Sequence, residues 1–77
     1  MDYTTLISLE EGAKAVIRKL DGGSEFQRRL RNMGIREEKT LRLVAKHSFH
    51  GPIVIEIDRR QIAVGCGMAK KIAVEPR

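Results

Sequence analysis

His47, His50 and Cys66 are the residues of this 77-residue chain best suited to ligate a transition metal or to act as base and nucleophile. A metal centre needs three or four such groups converging in a fixed geometry. Along a strand, positions 47 and 50 face opposite sides unless the chain turns between them, and no third ligand stands at a fixed short spacing. Glu56 and Asp58 add carboxylates nearby in the sequence without completing a set. Two surface histidines and a small buried cysteine are the better reading, so no tightly held iron or other cofactor is expected. Cys66, between Gly65 and Gly67, could occupy an exposed turn, but nothing marks an orienting third group or an oxyanion hole. The Gly-Cys-Gly-Met run lacks the spacing of a phosphate-binding loop and opens no long helix. No catalytic set emerges, and the chain is not expected to be an enzyme.

Charge is the next constraint. Fifteen basic residues against ten acidic ones give a formal charge of +5. The basic residues group at Arg28-Arg29-Arg31, Arg59-Arg60 and Lys70-Lys71. Such a balance suits nucleic acid, a membrane surface or an acidic protein. Only three aromatics are present, Tyr3, Phe26 and Phe49, too few for base stacking or for an aromatic groove that grips proline-rich peptides. An acidic protein partner is therefore preferred, and no nucleic acid is expected. Arg28 and Arg31, placed on the solvent side of a helix with Arg29 flanking its apolar stripe, are candidates for that docking.

The lone cysteine forbids an internal disulfide and fits a reducing compartment. No apolar run approaches the ~18–20 residues of a membrane span, and the N-terminal stretch lacks a basic segment and signal core. A cytoplasmic location without membrane insertion follows as an expectation. Length allows one domain, residues 1–77, with a single modest core.

The elements that must position these residues are mostly strands. The exception is Ser24 to Ile35, which reads as a short helix over about Glu25–Met33. Ser24 is expected as N-cap with Gln27 completing a capping box. Phe26, Leu30 and Met33 form an apolar stripe. Gly34 is expected at the left-handed position after the helix, with Ile35 folding back on Leu30 in a Schellman ending. Ile7-Ser8-Leu9 reads as a short edge strand. Ala13 to Leu20 reads as a strand in which Leu20 needs a bulge to rejoin Ala15 and Ile17.

Thr40 to His47 is a strand with Leu41, Leu43 and Ala45 on one face. Ile53, Ile55 and Ile57 alternate with Val54, Glu56 and Asp58. A tight reversal over Asp58–Gln61 leads to Ile62-Ala63-Val64, a helical turn falls near Cys66–Lys70, and Ile72-Ala73-Val74 closes the chain. Val16, Val44, Val54 and Ala63 stand at outer positions where polar residues are usual; clustered, they would mark an interface. Five to six short strands with one inserted helix predict an all-β, mainly β fold, a small closed or partly closed barrel.

The ordered set of pieces resembles a known family. Arg29-Leu30-Arg31-Asn32-Met33-Gly34-Ile35 sits on the helix, Gly51-Pro52-Ile53 opens a hairpin into Ile62-Ala63-Val64, and Ala69-Lys70-Lys71-Ile72-Ala73-Val74 follows. This is similar to the FeoA family of small ferrous iron uptake components. It is also similar to the C-terminal SH3-like domain of DtxR-type metal-dependent repressors. The resemblance implies an SH3-like barrel that docks on the cytoplasmic side of a membrane ferrous iron permease carrying a GTPase domain, with self-association left open. A metal-sensing regulatory domain is the alternative, and a basic nucleic-acid-binding barrel ranks below both. Two departures stand out: Arg60 replaces a glycine that the family tends to carry in the hairpin turn, and Gly65–Met68 replaces charged residues. The partner surface is expected on the loops around Gly51 and Pro52 and around Cys66, Gly67 and Met68, flanked by Lys70.

Overall fold

Alternating apolar residues and tight turns produce a chain built around one antiparallel sheet. The computed structural model describes residues 3–47 and 51–77. In order, β1 (Thr4–Thr5), a 3-10 turn (Leu6–Ser8), β2 (Lys14–Leu20), α1 (Ser24–Asn32), β3 (Thr40–Lys46), β4 (Ile53–Ile57), β5 (Arg60–Val64), α2 (Cys66–Ala69) and β6 (Ile72–Pro76) follow one another. The strands lie in the spatial order β1-β6-β2-β3-β4-β5. β2 is shared: Lys14–Val16 pairs with β3 and Ala15–Leu20 with β6. The sheet encloses one core of Leu6, Leu9, Ile17, Leu20, Leu30, Ile35, Leu41, Leu43, Ile53, Ile55, Ile57, Ile72 and Val74, with smaller residues between them. This is the mainly β, SH3-like architecture expected.

Helix α1 ends as read from the sequence. Gly34 has φ +92°; its N–H bonds the Arg31 carbonyl at 3.0 Å, and the Ile35 N–H bonds the Leu30 carbonyl at 2.9 Å. Those two bonds define the Schellman motif. The helix start differs. Gly23, not Ser24, is the N-cap, and no side chain caps it. The Gln27 amide instead donates to the carbonyls of Gly22 at 2.9 Å and Leu20 at 3.2 Å, tying the helix to the end of β2.

Three other local readings are corrected. Instead of a strand over Ile7–Leu9, a 3-10 turn spans Leu6–Ser8 with Leu9 as its C-cap, because Leu6 and Leu9 are both buried and their three-residue spacing suits a turn. In β3 the register shifts between Leu43 and Ala45, a bulge at Val44 that moves Ala45 off the inner face. The bulge expected in β2 is present, between Ile17 and Lys19.

The hairpin turn is the third correction. Ile57 pairs with Arg60, so the loop is the two residues Asp58 (φ +52°) and Arg59 (φ +67°). Both are left-handed, as a type I′ turn requires, and Arg60 is the first residue of β5 rather than part of the turn. Glycine carries no such penalty at the second turn position. Arg59→Gly is therefore expected to raise stability by about 1 kcal/mol. Thermal unfolding checks this; an unchanged or lowered midpoint would refute the turn assignment.

Candidate functional site

The register of the β3–β4–β5 meander decides which loops meet. Lys46 pairs with Ile53, and Ile53 pairs with Val64. The end of β3, the start of β4 and the end of β5 therefore lie at one end of the barrel. His47, Gly51 and Pro52 are gathered there with Gly65 and Cys66, and the His47 N–H reaches the Pro52 carbonyl at 3.4 Å. Gly51 is half-buried, Pro52 exposed. Lys46 anchors this end through its Nζ on the Leu9 carbonyl at 3.0 Å and its N–H on Glu11 at 2.8 Å.

The short helix α2 completes the same end. Cys66 opens it half-buried, and Met68 packs on the core while remaining partly accessible. Gly67 and Lys70 face solvent, and a Cβ on Gly67 would meet nothing within 4 Å. That leaves room for another molecule's backbone beside Gly67 and offers Met68 as an adaptable apolar contact.

His47 is exposed and Cys66 half-buried, while His50 lies outside the described residues. Among the described residues, no group of three or more histidines, cysteines or carboxylates is arranged to hold a metal ion.

The helix cations divide in a way the sequence did not foretell. Arg31 is half-buried and committed within the fold: its guanidinium bonds Glu37 at 2.8 and 3.3 Å and Gln27 at 3.2 Å. That bond from Arg31 holds the Glu37 carboxyl below its ordinary range. Arg28 is exposed and only 3.9 Å from Glu25, and Arg29, expected on the flank, also faces solvent. Arg28 and Arg29, not Arg31, are the cations α1 presents outward.

Most of the acidic residues are likewise engaged. Arg18, at the β2 bulge, bonds Glu75 at 2.8 Å and also Glu38, and both bonds raise its already high pKa. Lys39 bonds Asp58 at 2.7 Å and holds that carboxyl down. Arg42 meets Glu56, its direct cross-strand partner, at 3.2 Å. Unpaired charge on the described surface is therefore more positive than the formal balance suggests.

Two rows of side chains cross the outer face of the meander. Ala45 stands opposite Val54, and Val54 opposite Ala63. Beside it, Arg42 stands opposite Glu56, and Glu56 opposite Gln61. Of the four outer apolar residues read from the sequence, Val54 and Ala63 are neighbours, Val44 forms the adjacent bulge, and Val16 is buried at 3% exposure. Sequence reasoning missed Ala45, since the bulge that turns it outward leaves no local signal.

Among the described residues, no helix is long and apolar enough to cross a membrane. The Fe(2+) transport protein A of Methanocaldococcus jannaschii is 35% identical over 66 residues, covering 86% of this chain and 78% of that protein. The crystal structure of an iron uptake regulatory protein, FeoA, superposes with a TM-score of 0.91 at 25% identity, covering 99% of this chain and all of that one. A manganese-dependent transcriptional repressor shares the fold alone, with a TM-score of 0.88 at 22% identity over 97% of this chain and 42% of the repressor. The FeoA domain matches residues 4–76, and the chain belongs to that family.

Proposed function

We infer that this chain serves ferrous iron uptake as a non-catalytic cytoplasmic adaptor that docks on a membrane iron permease carrying a GTPase domain. The observation that carries the role is the family match across residues 4–76, together with a 35% identical Fe(2+) transport protein. Support for docking comes from the end of the barrel where Pro52, Gly65, Gly67 and Met68 gather, with Lys70 beside them. An apolar contact with an exposed cation beside it suits an acidic protein surface and makes association sensitive to salt.

The discriminating variants must leave the fold intact. Arg31 is unsuitable because it holds Glu37. Gly67→Glu adds a carboxylate in open space, and Lys70→Glu reverses an exposed charge. Each is expected to weaken capture by the permease's cytoplasmic domain at least tenfold, worth about 1.4 kcal/mol. Arg28→Glu, on the helix, is expected to change it less. If only Arg28→Glu matters, the docking surface is the helix.

The chain carries no resident cofactor in this reading, and iron is the permease's cargo. Anaerobic calorimetry with ferrous iron is expected to show no stoichiometric binding at micromolar concentration. Tight binding lost in a His47→Ala/Cys66→Ser double variant would instead establish a metal-sensing domain.

A further inference from the structure

The two edges of the sheet are built differently. β1 is two residues long, the usual way to make an edge unattractive. β5 is five residues long, contains no proline, and pairs with β4 over five successive rungs without a register shift. β2 and β3, by contrast, are bulged. Among the described residues, only β4 pairs with the backbone of β5.

The two-residue turn sets which groups are unused. In such a hairpin the first pair, Ile57 with Arg60, exchanges hydrogen bonds, and alternate pairs do likewise. Ile62 and Val64 therefore direct their backbone groups at β4, while Gln61 and Ala63 direct theirs outward. Gln61 and Ala63 are both exposed, and they terminate the two rows that cross the outer face. A strand laid beside them would extend the Ala45–Val54–Ala63 row by one position.

Charge selects the occupant. The carboxylates nearest this edge, Glu56 and Asp58, are neutralised by Arg42 and Lys39. Among the described residues neither Arg59 nor Arg60 has a carboxylate within ion-pair distance; Arg60 donates to the Met33 carbonyl at 3.4 Å and adds a minor pull on Asp58, which Lys39 already holds. A second copy would bring its own surplus of positive charge to a basic edge. We propose that β5 is an acceptor edge that takes an extended acidic segment of a protein partner as a further strand. The segment places a carboxylate near Arg59 and Arg60 and a β-branched apolar side chain beside Ala63. Backbone bonds to Gln61 and Ala63 supply affinity, and the two side-chain positions supply selectivity. Only the identification of that partner with the permease rests on the docking reading above.

The test is a titration of the isotope-labelled chain with a short capped peptide of alternating glutamate and valine, followed by amide resonances. The Gln61 and Ala63 amides are expected to shift most and to exchange at least tenfold more slowly at saturation. Arg59→Glu/Arg60→Glu is expected to weaken binding at least tenfold, and a lysine–valine peptide should not bind. Ala63→Pro, which removes an outward donor, should abolish binding while the circular dichroism stays native; if it unfolds the chain, the arginine pair decides. Shifts centred elsewhere, equal binding of the lysine peptide, or no binding at millimolar concentration would each overturn the proposal. So would protection of Gln61 and Ala63 in the free chain that grows with its concentration, which would identify a second copy as occupant. The permease's cytoplasmic domain forms a second arm. Equal capture by wild type and folded Ala63→Pro removes the permease as the occupant of the edge and leaves docking intact; peptide binding without capture defeats docking and leaves the edge standing.

Discussion

Gly34→Val is expected to lower the stability of the domain by about 2–3 kcal/mol. Gly34 holds φ +92° because the Schellman ending demands it. A β-branched residue is badly strained there. A Cβ at this position would also fall 2.3 Å from the Arg60 guanidinium, which lies over the C-terminal turn of α1. That second effect is the smaller one, since the end of an arginine side chain can swing away. Arg60→Ala alone should therefore cost no more than about 1 kcal/mol. Most of the Gly34→Val loss should persist in an Arg60→Ala background. Gly34→Asn should cost least among non-glycine residues, because asparagine tolerates the left-handed region. Urea denaturation of the four variants checks the series. If Arg60→Ala rescues Gly34→Val completely, the strain lies in the contact and not in the backbone.

Leu30→Ala is expected to cost about 2–5 kcal/mol. Leu30 is the one fully buried side chain of α1, at 0% exposure. Phe26 and Met33, its stripe partners, are only partly buried. For a domain of this size total stability is roughly 4–12 kcal/mol, so this single truncation removes a large share of it. The loss should be uneven. Amides of residues 24–32 should exchange much faster than those of β4, because the Ile53, Ile55 and Ile57 packing is untouched. Uniform acceleration across helix and sheet would mean that α1 and the barrel unfold only together. Met33→Ala should show the same pattern in weaker form.

The features legible in the sequence were those written in neighbouring residues. Gly34-Ile35 after an apolar stripe specifies its own ending, and Ile53 to Ile57 specifies which face of β4 is buried. The helical turn at Cys66–Ala69 followed from the glycines around it and the shortness of the segment. What escaped depended on residues far apart in the chain. The bulge at Val44 exists because β3 must keep Leu41 and Leu43 inside while its end bends to meet β4; nothing in Leu-Val-Ala-Lys announces it. Ile7–Leu9 alternates like a strand, but Leu6 and Leu9 are both drawn into the core, and a 3-10 turn satisfies both. Ser24 looks like a cap, yet Gly23 already accepts the first helical bond, from the Gln27 N–H at 3.0 Å. The segments around Gly51-Pro52 and Cys66–Met68 were both legible as turns between strands, but only the strand register shows that they lie at one end of the sheet. The pairing of Arg31 was not legible because its partner Glu37 lies across the helix ending.

The position of β6 bears on the order of events in time. Its residues pair with β1 on one side and β2 on the other, so Thr4 meets Val74 and Leu20 meets Ile72. The hairpin of β4 and β5 closes over two residues and can form within microseconds. Thr4 and Thr5, in contrast, have no strand to join until the far end of the chain has arrived beside them. Joining them closes a loop spanning nearly the whole domain, an entropic cost that slows folding of β-rich chains with distant contacts. The meander can therefore be assembled while the N-terminal strand is still searching, and β1 is the last piece to be held.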